Sequence, residues 1–332
     1  MDIIAEIGQA HDGSLGIAHS YIDAVAKAGV NAIKFQTHIA EAESSIHEEF
    51  RVNFSYEDKT RFDYWKRMQF TEEQWIQLKK HCDEVGLEFI SSPFSNKAVE
   101  LLERLGVKRY KIGSGEVSNL LMIDKISKTK KPIMISSGMS SYKELDKTIS
   151  YIKAKVDDIS LFQCTTSYPT KAGDWGVSLI PELSTRYNLP IGFSDHSGDI
   201  YACMAATTLG AKLLEFHVVF DKKMFGPDSK SSLDISQIEK LVTGVNQIET
   251  ELMSYNDLKA NNSKFNNLKS IFEKSLAINK DLTKGSIISF EDLEAKKPSN
   301  MGIKASEFQK VLGKKISFDL KQWEFLKWEH LI

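Results

Sequence analysis

The feature that most constrains this chain is one alternation, repeated eight times. A short apolar, β-prone run is followed each time by a segment of helical period. The runs are Ile3–Ile7, Ala32–Phe35, Leu87–Ile90, Arg109–Ile112, Pro132–Ile135, Ile159–Gln163, Pro190–Phe193 and Lys212–Val218. Ala18, Tyr21, Ile22 and Val25 fall at i, i+3, i+4 and i+7, and Trp75, Leu78, Cys82 and Val85 repeat that spacing. Thr71 and Gln74 form a capping box ahead of the second stripe. A third stripe runs through Ile235, Ile238, Leu241, Val242, Val245 and Ile248. Neighbouring parallel strands need a long crossover, so the alternation predicts an α/β fold with a parallel sheet. Eight such units favour a closed (β/α)8 TIM barrel over an open doubly wound sheet.

Such a barrel uses about 250 residues, and the chain has 332. The expected division is a barrel over 1–256, a linker over 257–271 and a small β-rich domain over 272–332. Around Tyr255–Ile271 the sequence is polar, rich in Asn and Lys, and has no strong period. Beyond it, Ser275–Asn279, Ile287–Phe290 and Leu312–Ile316 read as short strands, with a turn at Asp281–Gly285. A unit of that size is marginal alone and is expected to dock on something. The connection from about Thr37 to Phe70 is unusually long and rich in charge and aromatics. Its length fits a functional segment or a decorated loop packed on its own barrel.

Composition removes several classes. Lys plus Arg is 43 against 45 Asp plus Glu, a net charge of −2, so no basic face for nucleic acid is expected. Cys82, Cys164 and Cys203 are odd in number and lack CxxC spacing, which suits a reducing compartment rather than a disulfide framework. No apolar run approaches the ~18 residues that span a bilayer, and the first residues read as a strand. The expectation is a cytoplasmic protein with no membrane partner.

Polar groups recur where a barrel carries its chemistry, at the C-terminal ends of the strands. Glu6 is at the first, Lys34 and Gln36 at the second, and Ser91 and Ser92 at the third. Lys111, Ser114 and Glu116 close the fourth, Ser136 and Ser137 the fifth, and Thr165, Thr166 and Tyr168 the sixth. Ser194, Asp195 and His196 end the seventh, and Glu215 and His217 lie on the eighth. Two ammonium groups with several hydroxyls suit a phosphate or carboxylate. No GxxxxGK[ST] loop is present, and Gly113-Ser114-Gly115 is too short for a dinucleotide fingerprint, so a small phosphorylated anion is expected. His196 and His217 end adjacent strands, where two imidazoles either hold one divalent metal or make structural hydrogen bonds. His11 orients Glu6 or shapes the Gly-rich turn after the first strand. His19, His38, His47, His81 and His330 show no constellation and default to surface or core roles.

The ordered motifs resemble those of the sialic acid synthase family, which makes nonulosonic acids from phosphoenolpyruvate (PEP) and an N-acylated amino sugar. The resemblance lies in Ile4-Ala5-Glu6-Ile7-Gly8-Gln9-Ala10-His11-Asp12-Gly13, Lys34-Phe35-Gln36-Thr37, Ser91-Ser92-Pro93-Phe94-Ser95 and Lys111-Ile112-Gly113-Ser114-Gly115-Glu116. It continues through Ser136-Ser137-Gly138-Met139, Cys164 to Thr170, Ser194-Asp195-His196 and Gly226-Pro227-Asp228. The tail, with Asp281 to Gly285 and Lys296-Lys297-Pro298, resembles the antifreeze-like (SAF, β-clip) domain of these enzymes.

That resemblance implies His196 and His217 as metal ligands, with Mn2+ first and Mg2+ or Co2+ as alternatives. It implies Lys34, Ser92, Lys111, Ser114, Ser136, Thr166 and Ser194 around PEP. Gln36, Phe94, Tyr168, Asp228 and Lys297 join Glu6 and Glu116 on the substrate side, and Glu6, Lys34 and Glu116 are the catalytic candidates. It also implies a homodimer in which each SAF domain caps the partner's barrel. Lys297 stands where the family usually has Arg, Ser299 where it has Gly, Thr166 where it often has Asn, and Trp323 where it has a turn Gly. The acceptor stays open between N-acetylmannosamine and a 6-deoxy-diacetamido hexose. Competing readings of the rim are a metal-dependent sugar-phosphate lyase or hydrolase, and a sugar-binding pseudoenzyme.

Overall fold

The computed structural model describes residues 1–52, 54–254 and 259–332. One compact unit takes in Met1–Ser254 and a second takes in the rest of the chain. The expected boundary at 256/257 lies outside the described residues.

In the first unit eight parallel strands close into a barrel in chain order. They are β1 (Asp2–Gly8), β2 (Ala32–Thr37), β3 (Glu88–Pro93), β4 (Tyr110–Ile112), β5 (Ile133–Ser136), β6 (Ile159–Cys164), β7 (Ile191–Asp195) and β8 (Leu213–His217). Each coincides with one of the eight apolar runs. β8 closes on β1 with Glu6 opposite His217, while Glu6 on its other side faces Lys34 of β2.

The helices follow from their sequence stripes. In Leu15–Lys27 the residues Ala18, Tyr21, Ile22 and Val25 are all buried, and Ser14 caps the first turn by accepting from the Ile17 N–H. Thr71 and Gln74 make their reciprocal capping bonds at the head of Glu72–Glu84. There the stripe ends early: Trp75, Leu78 and Cys82 are buried, but Val85 is the C-cap and is exposed. A helix terminus leaves its last turn in solvent, and the periodic pattern does not register that.

Side chains alternate across each strand, and this period sets the depth of every residue inside the barrel. Ile4, Ala32, Ile90, Met134, Phe162 and Leu213 form a dry plug. Two residues further along five of these strands stand Glu6, Lys34, Ser92, Ser136 and Glu215, all buried. The polar layer therefore lies on an apolar base. A separate and larger core joins the outer faces of the strands to the helices.

In the second unit β9 (Ser275–Ile278) pairs antiparallel with β10 (Leu293–Lys296). Single bridges such as Leu282 with Leu320 and Ile316 with Leu331 complete it. Its core is a small cluster that includes Leu276, Ile278, Ile303, Val311, Ile316 and Leu326. Three expectations change, the first being that Leu312–Ile316 carries single bridges at Lys315 and Ile316 rather than a strand. The stretch read as an unstructured linker carries a helix at Asn266–Phe272. Ile287–Phe290 forms one bridge rather than a strand. Trp323 adopts a φ of +69°, the left-handed region where a side chain costs roughly 1 kcal/mol and Gly costs little.

Candidate active site

A cavity of about 400 Å3 opens at the C-terminal ends of the strands. Its lining includes Glu6, Lys34, Gln36, Ser92, Phe94, Lys111, Ser114, Glu116, Ser136, Thr166, Tyr168, Ser194, His196, His217 and Asp228. Every barrel residue that the resemblance assigns to substrate, metal or catalysis therefore lies in one place, whereas Ser91, Ser137, Thr165 and Asp195 at the same strand ends do not line it. Lys297 belongs to the second unit, with its Nζ 5.1 Å from the centre of the Phe272 ring.

At the floor lies a quartet of buried charges. Lys111 Nζ donates to both oxygens of Glu215, at 2.8 and 2.7 Å. Ser194 Oγ donates to Glu215 Oε1 at 3.0 Å. Lys34 Nζ donates to Ser92 Oγ at 3.3 Å and lies 2.5 Å from Glu6 Oε2 and 3.9 Å from Glu215 Oε2. Burial alone would push the Glu215 carboxyl up, but the ammonium groups of Lys111 and Lys34 overcome this and hold it down at about 2. For Lys34, burial works against the charge, and Glu215 and Glu6 raise its pKa above the ordinary lysine value. Glu215 had no assigned role in the sequence reading. The signal was present, since it lies two residues before His217 on the same inward face.

Local backbone geometry aims these groups. Gly8 has a φ of +53°, and the β1–β2 register shifts between Glu6 and Gly8. A bulge of this kind re-aims the strand end. At the opposite side, a Cβ on Gly138 would sit 2.3 Å from Thr166 Oγ1, 2.7 Å from Cys164 Sγ and 2.8 Å from Ser114 Oγ. Glycine therefore keeps this hydroxyl-lined cradle open. Within the cavity, Thr166 Oγ1 is buried without a hydrogen-bond partner, whereas Glu6 Oε2 is held by the Lys34 ammonium. Such orphaned atoms in a polar cavity are sites for ligand atoms.

His196 and His217 lie with ring centres 5.4 Å apart. His196 Nδ1 is 2.8 Å from the Thr165 carbonyl, which only accepts, so Nδ1 carries the proton and Nε2 keeps its lone pair. Burial, with His217 nearby, lowers the His196 pKa to about 4, so the ring is neutral. No cluster of three or more His, Cys, Asp or Glu suited to a metal exists among the described residues. The residues thus offer an open two-imidazole set that leaves positions for ligand oxygens. Tyr168 stacks on His196, with centres 4.2 Å apart. Glu116 Oε2 accepts from Asn119 Nδ2 at 2.7 Å, and its carboxyl is pushed up by burial, with Glu43 adding to the shift.

The long connection packs on its own barrel unit and forms one wall of the cavity. Tyr64, Trp65 and Met68 are buried there, with Phe50, Phe54 and Phe62 against them. Arg67 ties this wall to Asp58 at 2.8 Å and to Asp12, in the loop after β1, at 2.6 Å. The default reading of His38 is corrected. It lies between the rings of Trp65 and Phe94, at 4.0 and 4.6 Å, with Nδ1 2.6 Å from Glu43 Oε1. Nδ1 donates to that carboxylate, so Nε2 accepts from Gln9 Nε2 at 3.1 Å. Gln9 also donates to Gln36 Oε1, and Gln36 Nε2 donates to Glu6 Oε1 at 2.8 Å. This chain of fixed donors, Glu43 to Glu6, leaves no pattern in the sequence because His38 lies past the end of β2. The role of His11 in the sequence reading is half met. Its Nδ1 accepts from the Gly13 N–H at 3.1 Å, which shapes the turn.

A closed (β/α)8 barrel with lysines, hydroxyls and an open imidazole pair at its strand ends defines an enzyme class that acts on small anions. Comparison gives the particular one. A profile of the NeuB family matches residues 21–256, and a profile of the SAF domain matches residues 273–332. The chain belongs to the NeuB family. It is 33% identical over 331 residues to the N,N'-diacetyllegionaminic acid synthase of Campylobacter jejuni, covering 98% of each chain. It is 34% identical to the pseudaminic acid synthase of the same species, over 98% of this chain and 95% of that one. Among solved structures it is similar to the N-acetylneuraminic acid synthetase of Leptospira borgpetersenii, in complex with citrate. That likeness has a TM-score of 0.70 and 29% identity, over 81% of this chain and 92% of the other.

Proposed function

We propose that this protein is a nonulosonic acid synthase that condenses PEP with the aldehyde of an N-acylated amino sugar, giving a nine-carbon 2-keto acid and phosphate. The observation that carries the reading is the pair of buried lysines among strand-end hydroxyls, beside the imidazoles of His196 and His217, in a barrel of this family.

Lys34 and Lys111 hold the phosphate and carboxylate of PEP, with Ser92, Ser114, Ser136, Thr166 and Ser194 donating around them. C3 of PEP attacks the aldehyde carbon, forming the new C–C bond, and the aldehyde oxygen takes a proton. Positive charge then develops at C2, where the Glu6 carboxylate stabilises it as a fixed counter-charge. Glu116, whose carboxyl burial raises, stands as the proton donor to the former aldehyde oxygen. Water adds at C2 and its first proton restores Glu116; the tetrahedral intermediate then collapses to the 2-keto acid, its C2 hydroxyl proton leaving with phosphate as the C–O bond breaks. Gln36, Phe94, Tyr168 and Asp228 line the acceptor side, and Lys297 of the tail unit completes it in this reading. His196 and His217 would hold a divalent metal, Mn2+ in preference to Mg2+ or Co2+, which supplies Lewis-acid polarisation of the aldehyde when bound.

The acceptor is N-acetylmannosamine or a 6-deoxy-diacetamido hexose. The protein works in the cytoplasm as a homodimer whose tail units cap the partner barrels. Three supports for this are three free buried cysteines, a tail core too small to stand well alone, and, among the described residues, no helix long and apolar enough to cross a membrane. Incubation with PEP, Mn2+ and a panel of amino sugars is expected to release phosphate with at least one acceptor. Absence of phosphate with all of them would sink the reading, and light scattering that returns a monomer would remove the dimer.

A further inference from the structure

Arg51 lies in the wall segment, outside every motif that marks the family. Its guanidinium carbon is 4.2 Å from the centre of the Tyr168 ring, and Nη2 donates to Asp228 Oδ1 at 3.0 Å. The stacked ring of His196 is also centred 4.2 Å from Tyr168. Two groups at that separation cannot share one face of a ring. His196 takes one face of Tyr168 and the Arg51 guanidinium covers the other.

A guanidinium has five N–H donors. The bond to Asp228 uses one, and a contact through the π face uses none. Arg51 lines the cavity together with Asp228 and Tyr168, and its remaining N–H groups are left for a ligand there. The Asp228 carboxylate keeps acceptor capacity beside it. A donor edge next to an acceptor oxygen complements a sugar, whose neighbouring hydroxyl and acylamino groups offer both kinds of atom. The Arg51 side chain is 44% exposed, and an ion pair so open to water contributes little to folding. Stability therefore gives no account of why a cation is held flat at this point.

The geometry points to Arg51 as a specificity-determining residue, whose guanidinium, laid on Tyr168 and keyed to Asp228, donates hydrogen bonds to the acceptor sugar and none to PEP. The assignment rests on the synthase reading of the site. PEP lies at the floor, on lysines that are almost fully buried, whereas Arg51 stands on the outer wall.

The test is phosphate release by wild type, Arg51→Ala and Arg51→Lys, with acceptor and PEP varied separately and thermal melting followed alongside. Arg51→Ala is expected to raise the acceptor KM roughly 10- to 100-fold, the range for loss of a charged hydrogen bond, with the PEP KM within about twofold. Arg51→Lys recovers only part, because an ammonium lacks the planar fork. Melting is unchanged in both. An unchanged acceptor KM, or an equal rise in both KM values, overturns the assignment. If wild type releases no phosphate with any acceptor, the synthase reading falls separately. Calorimetric titration of N-acetylmannosamine into wild type and Arg51→Ala then decides Arg51, and equal or absent binding overturns its role.

Discussion

The floor and the wall of the cavity are built on opposite principles. The floor is made by strands, and its lysines are nearly sealed, with Lys34 at 4% and Lys111 at 1% exposure. Each charge there is matched by a carboxylate, and each side chain is fixed by the period of its strand. The wall is made by an insertion whose own small aromatic cluster supports it, and its cations stay partly in water. A charge on the floor has no solvent to fall back on, so losing its partner is costly. A charge on the wall is replaceable, and its effect depends on what it touches. The floor suits the invariant half of a reaction and the wall the variable half.

The largest expected effect tests the floor. Lys111→Met removes the bidentate partner of Glu215 and leaves that carboxylate short of charge. Removing one member of a buried pair costs about 3–5 kcal/mol of stability, and losing a charged hydrogen bond to the anion, worth up to about 3 kcal/mol, should lower kcat/KM for PEP by ~10²-fold whichever acceptor is used. A drop confined to one acceptor would break the comparison. His217→Ala should be at least as severe. Activity should vanish and bound Mn2+, counted by metal analysis, should be lost; retention of both would remove His217 from the site. Gly138→Ala forces a methyl among Ser114, Cys164 and Thr166. The expected result is a rise of tenfold or more in the PEP KM, with acceptor binding little changed.

The wall should also respond to acid. His11, in the loop after β1, packs against Phe70 of the wall with ring centres 4.7 Å apart, and burial, with His38 nearby, lowers its pKa to about 3. Above the unfolded value of about 6.5 both states are neutral, so His11 adds no pH dependence there. Below it the unfolded chain takes up a proton that the folded chain refuses, and stability falls as pH drops from 6.5 towards 3. The loss approaches about 5 kcal/mol at the lower limit. His11→Gln should flatten this acid limb in denaturant titrations, and an unaltered slope would place the proton elsewhere. The smallest effect belongs to the tail. Lys297→Arg should shift acceptor preference a few-fold with the PEP KM constant, and an unchanged acceptor profile would separate Lys297 from the sugar.

The difference between floor and wall also decides what the sequence could show. Barrel strands reveal their positions because apolar runs recur with turns between them, and the period of two then carries Glu6, Lys34, Ser92 and Ser194 to a common depth. Glu215 was within reach of the same rule. His38, Glu43 and Arg51 were not, because they follow no period and meet their partners only through the folded insertion. Arg51 reaches Asp228 across 177 positions of chain. The tail was legible mainly through its motifs. Its structure rests on single bridges and turns, which leave a weak imprint on hydropathy, and the helix at Asn266–Phe272 lies in a polar stretch without a capping signal.

The pairing of Lys34 and Lys111 with Glu6 and Glu215 has a kinetic meaning as well. Two positive and two negative charges sum to zero, so the quartet casts little field beyond the cavity mouth. An anion is not drawn in from a distance, and stray phosphate or sulfate meets carboxylates as well as ammonium groups. Entry becomes an exchange of partners at contact range, open to a ligand whose own carboxylate and phosphate fit the vacated positions together. Without added metal, the rate of capture should therefore vary only weakly with ionic strength, in contrast to a site lined by lysines alone.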